Sequence, residues 1–180
     1  MGQAQSVYVP VGELTVNHNP DVFLRSLIRE LAGLLEEVVG LEEASGFISV
    51  VGQNMGAMIN DMYRQAWGGS TLDRDQMIQV LLDLKQRIRG DFYLIESDSG
   101  KVVMGNRVCP FQDKVRDRPS LCMMTSNVFG TIAAENGGYA KVALEETIAN
   151  GDDGCRVVVY TKPGPEADAA QGREYYKSDQ

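Results

Sequence analysis

The spacing of apolar positions predicts three consecutive helices in the first half of the chain. In residues 19–39 apolar side chains recur every three or four positions, which is typical of an amphipathic helix. Asn19 suits the capping position of this helix, and Pro20 suits its first turn. The same spacing predicts helices over about 42–67 and 73–90. The N-terminal half is therefore expected to be helical.

After residue 90 the pattern changes from helical spacing to alternation. It predicts a strand pair over about 91–97 and 101–108, then a fourth helix from Pro119. A second strand pair follows, with alternating apolar residues over 140–144 and 155–159. Because the strands follow the helices instead of alternating with them, we predict an α+β fold. Its N-terminal helices would pack on a four-stranded antiparallel sheet, with one further helix between the two strand pairs.

The periodic part of the sequence also sets the expected domain organisation. The chain has 180 residues, which is enough for one domain with a sizeable core. We expect an N-terminal segment over 1–18 and a single domain over 19–162. From residue 163 onward the sequence is polar and without periodicity, which predicts a flexible C-terminal tail over 163–180.

The predicted second helix contains glycines, which are unfavourable inside helices by about 1 kcal/mol each relative to alanine. Two interpretations of Gly46, Gly52 and Gly56 stay open. The glycines allow another helix to approach closely, or they leave room for a ligand beside the backbone. Under the second interpretation the candidate ligand-binding residues are Gly52, Met55, Gly56 and Ile59.

Composition excludes several classes of protein. The formal net charge is −8, which argues against nucleic acid as a partner, since phosphate contacts need clustered Lys and Arg. No apolar run approaches the roughly 20 residues of a membrane span. Neither the P-loop nor the dinucleotide-binding glycine pattern occurs, so no nucleotide cofactor is expected. Three cysteines without a secretory signal predict a cytoplasmic protein with reduced thiols.

The three cysteines lie at junctions between predicted elements. Cys109 follows the second strand, Cys122 lies in the first turn of the fourth helix, and Cys155 opens the last strand. Side chains at such junctions can converge, and three thiolates would suit zinc. Two alternatives stay open: unrelated packing, and a redox disulfide between Cys109 and Cys122. The chemically suitable fourth ligands are His18, Asp113, Asp117, Asp152 and Asp153.

The segment that begins at Cys109 with "CPFQDKVRDRPSLCMMTSNVFG" and continues to Tyr160 resembles methanogen output domain 1. It is also similar to the 4-vinyl reductase domain, whose pattern is E-x-x-C-x-x-G-x-x-x-C. Glu145, Gly151 and Cys155 keep that spacing, whereas Ile148 replaces the first cysteine. The resemblance implies that a thiol from elsewhere in the chain, Cys109 or Cys122, completes the ligand set.

Both domains are similar to the ligand-binding domains of nitric-oxide-sensing haem proteins and of a Golgi-transport tethering subunit. The resemblance implies helices flanking an antiparallel sheet, a homodimer formed through the N-terminal helices, and a signalling protein as a further partner. The haem-binding relatives use a proximal histidine on a helix. His18 precedes the first predicted helix, so haem is not expected.

We therefore predict a stand-alone sensory or regulatory module in signal transduction. It would bind a small-molecule ligand or a metal through a helix–sheet pocket and the three cysteines. The absence of catalytic motifs favours a protein that is not an enzyme. One alternative is a thiol-dependent hydrolase that uses Cys122 or Cys109, with His18, Glu135, Glu145 or Glu146 as its base. The other alternative is a protein–protein adaptor.

Overall fold

The computed structural model describes residues 10–11, 15–16 and 19–178, and its elements follow the predicted order. The helices in this part of the chain are α1 (Pro20–Val39), α2 (Leu41–Trp67), α3 (Arg74–Arg87), α4 (Cys122–Gly137) and the short α5 (Pro165–Ala169). The strands are β1 (Phe92–Ser97), β2 (Lys101–Asn106), β3 (Tyr139–Glu146), β4 (Cys155–Tyr160) and β5 (Arg173–Tyr176). The α+β class and the four long helices are confirmed.

Local sequence signals account for where the helices begin. The Asn19 side chain accepts a hydrogen bond from the backbone N–H of Val22 at 3.0 Å, and Pro20 occupies the first turn of α1. Asp73 and Gln76 form a reciprocal capping box at the start of α3. These caps need only neighbouring residues, so the sequence alone could predict them.

The sheet has the order β1-β2-β4-β3-β5, and all its neighbours are antiparallel. The prediction of four strands is wrong because β5, in the segment assigned to a flexible tail, pairs with β3. Tyr175 of β5 is buried, and its hydroxyl lies 2.9 Å from the Ser126 hydroxyl of α4. A Cβ atom at Gly130 would collide with the Tyr175 ring. Residues 165–176 therefore belong to the packed domain. Their contacts are with distant residues, so the short polar sequence of β5 does not indicate them.

Helices α3 and α4 pack on one face of the sheet and enclose the main core, which includes Leu81, Met104, Phe129 and Ile132. Helix α2 packs on α4 through its glycines. A Cβ atom at Gly52 would lie 2.7 Å from the Asn127 Cβ, and one at Gly56 would lie 2.8 Å from the Thr131 Cβ. These distances agree with close helix approach at Gly52 and Gly56, whereas a Cβ atom at Gly46 would have no neighbour within 4 Å.

The apolar stripe predicted for α1 exists, but most of it is not covered by any other described residue and is exposed. The buried residues of α1 are Ala32 and Gly33. Large exposed apolar side chains on α1 and α2 include Leu27, Leu31, Leu34, Val38, Phe47, Val50, Val51, Met58 and Met62. Within the described ranges, no helix has both the length and the apolar character that crossing a membrane requires.

Candidate functional site

The structure brings all three cysteines to one small cavity at the end of the sheet. Cys109 lies in the loop after β2, Cys122 is the first residue of α4, and Cys155 is the first residue of β4. All three line a cavity with a volume of about 30 Å³. Its apolar walls include Phe92, Phe111, Val115, Leu121, Leu144 and Val157. We call this space the cysteine cavity.

Burial raises the pKa of two of these thiols, Cys122 and Cys109. Burial, together with the nearby Cys155 and Cys109, raises the pKa of Cys122 to about 12, while a hydrogen bond from Thr147 acts in the opposite direction. Burial also raises the pKa of the Cys109 thiol. The Cys155 sulfur lies 3.6 Å from the Asn106 side-chain amide, which can donate to it. Neutral thiols are poor nucleophiles, so this environment does not favour the hydrolase hypothesis.

Two of the three carboxylates proposed as bases for a hydrolase, Glu135 and Glu145, have other partners. Glu135 accepts a hydrogen bond from the backbone N–H of Ser178 at 2.9 Å. Glu145 pairs with Arg156 at 2.8 Å. His18 lies outside the described residues. The structure therefore provides no support for pairing Glu135 or Glu145 with a cysteine thiol.

Sequence reasoning missed the charged group of the site, which is Lys85 of α3. Its side chain is only 4% exposed, and its ammonium donates a hydrogen bond to the Thr125 hydroxyl at 2.7 Å. The ammonium also lies over the rings of Phe92 and Phe129, at 5.2 Å and 5.1 Å from the centroids. Thr125 and Phe92 line the cysteine cavity. The available signal was the spacing, because Lys85 continues the buried row of Leu81 one helical turn later.

The electrostatics of this site are unusual because a lysine is buried without a carboxylate. Among the described residues, no Asp or Glu lies within ion-pairing distance of Lys85. Burial lowers the pKa of Lys85 to about 8, while the three neighbouring cysteines raise it. An isolated buried charge is costly, so the ammonium has a strong tendency to acquire a negative partner.

Zinc binding by Cys109, Cys122 and Cys155 stays a prediction. In the described part of the chain, no three His, Cys, Asp or Glu side chains are grouped closely enough to hold one metal ion. Two of the suggested fourth ligands already have partners within the protein. Asp113 pairs with Lys114 at 3.0 Å, and Asp152 accepts a hydrogen bond from the backbone N–H of Thr147 at 2.7 Å. The three thiols line the same cavity without forming such a group.

The four residues predicted to bind a ligand beside the second helix lie at two different places in the structure. Gly52 and Gly56 face α4. Met55 and Ile59 line a surface groove of about 470 Å³ between α2 and α3. The structure therefore does not bring these four residues to one site, and the role of Met55 and Ile59 in ligand binding stays a prediction.

Comparison with known proteins identifies a family and a shared fold. The family model described as methanogen output domain 1 matches residues 27–160. No match is found among curated proteins. One similar solved structure is the phenol-responsive sensory domain of the transcription activator PoxR with phenol, at 17% identity and a TM-score of 0.61. That similarity covers 83% of this chain and 78% of that chain.

A second similar structure is trafficking protein particle complex subunit 3 from Naegleria fowleri, covalently bound to palmitic acid. It is 11% identical with a TM-score of 0.54, and the similarity covers 87% of this chain and 99% of that chain. At these identities the two structures show a common fold.

Proposed function

The chain belongs to the methanogen output domain 1 family, and from this premise we propose that it is a sensory module that binds a small molecule at the cysteine cavity. The observation that carries the proposal is the convergence of three thiols on one apolar cavity, with the buried Lys85 hydrogen-bonded to Thr125 in its wall. Ligand sites in proteins are typically apolar with a few polar groups, as this cavity is. The PoxR sensory domain, which shares the fold, holds phenol.

The wall of the cavity that faces α1 provides a route for a signal. Phe111 and Val115 line the cavity and belong to the loop between β2 and α4. Arg29 of α1 donates hydrogen bonds to the backbone carbonyls of Lys114 and Arg116, both at 2.7 Å. A ligand that displaces this loop would therefore also shift α1, because the hydrogen bonds from Arg29 connect the two.

Helix α4 provides a second route, because it contacts both the cavity and α2. Cys122 and Thr125 line the cavity. Further along α4, Val128 lies against Gly56 of α2, where the backbones approach closely. We propose that ligand binding changes the packing of α1 and α2 through these two contacts. Hydrogen exchange measures this directly: a ligand should alter protection in α1, and an Arg29→Ala variant should bind the ligand yet lose that effect.

We propose that the exposed apolar side chains of α1 and α2 form the interface of a homodimer. Contiguous apolar surface of this kind is rare on monomers. A double variant, Leu31→Glu and Leu34→Glu, should shift the mass measured by sedimentation from dimer to monomer. Leu94→Glu, which changes another exposed leucine that lies on β1, is the control and should leave the mass unchanged. A wild-type monomer at high protein concentration would contradict this part of the proposal.

The ligand site itself is tested by filling the cavity. Phenol, benzamide and benzoate are titrated into the protein by calorimetry. Ala149, which is buried and lines the cavity, is replaced by valine. Ala167→Val adds the same two methyl groups at a buried alanine on the opposite face of the sheet and serves as the control. Binding should weaken at least about 10-fold in Ala149→Val only; binding of none of the three probes would contradict the proposal.

A metal-organised version of the same module is supported by the three thiols that face one cavity. Elemental analysis of protein purified without chelator tests it. About one zinc per chain, lost in Cys155→Ser, would make the thiols ligands. A metal-free protein with three titratable thiols would contradict the zinc site and leave only the small-molecule proposal.

A further inference from the structure

Lys85 lies between the cysteine cavity and a second groove on the protein surface. This groove has a volume of about 410 Å³ and is lined by Lys85 together with Pro110, Phe111 and Met124. Pro110 and Phe111 also line the cysteine cavity, so they form the wall that separates the two spaces. The hydroxyl that accepts from Lys85, that of Thr125, lies on the cavity side. Lys85 therefore borders the groove directly and the cavity through Thr125.

The charge of the groove is opposite to that of the whole protein. Its charged lining residues are Arg25, Lys85, Arg87, Arg89 and a single acid, Asp21, whereas the chain as a whole has a net charge of −8. Asp21 pairs with both Arg25 and Arg89, and Arg87 pairs with Asp83 outside the groove. An excess of positive charge remains at the groove. This positive charge favours an anionic ligand over a cationic one.

Lys85 is the cation of this group that is buried. Its ammonium has three donors, and within the described residues its hydrogen bond to Thr125 is the only one found. No carboxylate of the described chain neutralises it. The surrounding surfaces, including Phe92, Phe129 and Met124, are apolar. An inorganic anion such as phosphate would find too few donors here, whereas an apolar molecule with one carboxylate matches both the charge and the walls.

We propose that the groove and the cysteine cavity together bind a small organic acid whose carboxylate pairs with Lys85. The apolar body of the acid would lie against Phe111 and the groove, and Phe111 would move to join the groove with the smaller cavity. This inference rests on the proposed function and specifies the chemical class of its ligand. It also gives Lys85 the negative partner that the protein itself lacks.

The test compares benzoate with its neutral analogue benzamide by calorimetry at pH 7. Wild-type protein should bind benzoate about 10-fold or more tightly than benzamide, because a buried charged pair is worth more than a neutral hydrogen bond. Lys85→Met keeps an unbranched side chain but removes the charge, so it should bind the two probes equally. Arg87→Met removes a charge from the exposed rim of the same helix and should keep most of the preference.

The outcomes separate this inference from the proposed function. Equal binding of benzoate and benzamide to wild type, or an unchanged preference in Lys85→Met, overturns the organic-acid ligand and leaves a neutral-ligand sensor. Binding of no probe overturns both. Rapid alkylation of a cysteine at pH 7 in wild type but not in Lys85→Met would identify a thiolate as the partner of Lys85, and this result also overturns the inference. The wild-type comparison needs no variant and so does not depend on the folding of Lys85→Met.

Discussion

Replacing Lys85 by methionine should stabilise the protein at neutral pH. Burial lowers the pKa of Lys85 from 10.5 to about 8. Each tenfold loss of proton affinity corresponds to about 1.4 kcal/mol, so holding this lysine charged in the folded state costs about 3 kcal/mol. The substitution also removes the hydrogen bond to Thr125, a loss of about 1 kcal/mol. The net expectation is a gain of about 2 kcal/mol in the free energy of unfolding at pH 7.

The gain should disappear as the pH rises. Below pH 8 Lys85 is protonated in the folded and the unfolded state, so the wild type has the full cost of the buried charge. Between about 8 and 10.5 the unfolded state binds more protons than the folded state, and wild-type stability therefore increases with pH. The pKa of Cys109 and that of Cys122 are raised mainly by burial, which both proteins share.

The assay is urea unfolding followed by circular dichroism at several pH values from 7 to 10. Protein concentration is held constant because a dimer makes stability concentration-dependent. Lys101→Met is the control, since this lysine pairs with Glu166 at the surface and has a raised pKa; it should give no gain at pH 7. If Lys85→Met is less stable than wild type at pH 7, or if the difference does not change with pH, the reasoning about the buried charge is refuted.

Three further predictions follow from packing and burial. Gly56→Ala should lower the free energy of unfolding by about 1–3 kcal/mol because its Cβ atom meets α4, whereas Gly46→Ala, with no neighbour within 4 Å, should raise it by up to about 1 kcal/mol in the same urea assay. Gly130→Ala should displace Tyr175 and release β5, seen as faster amide exchange there; unchanged exchange would contradict the docking. Alkylation of Cys122 at pH 8, followed by mass spectrometry, should be about 1,000-fold slower in folded than in urea-unfolded protein; similar rates would contradict its raised pKa.

The sequence by itself determined the elements whose signals are local. The helix caps at Asn19 and Asp73 depend on residues within one turn, and the glycines that follow α1 and α2 end those helices with positive φ angles. The alternation of apolar residues likewise marked β1 to β4. The order of helices and strands then led to the α+β class, and the resemblance to methanogen output domain 1 is confirmed by the family match over 27–160.

Tertiary structure decided everything that depends on which distant segments meet. Strand β5 exists because Tyr175 packs over Gly130, 45 positions earlier in the chain. The cysteines share one cavity because β2 pairs with β4, which places Asn106 opposite Cys155. Lysine side chains mostly lie at the surface, yet α4 and β1 cover Lys85. Local patterns report the conformation of a few residues, whereas burial and side-chain neighbours depend on contacts between segments far apart in sequence.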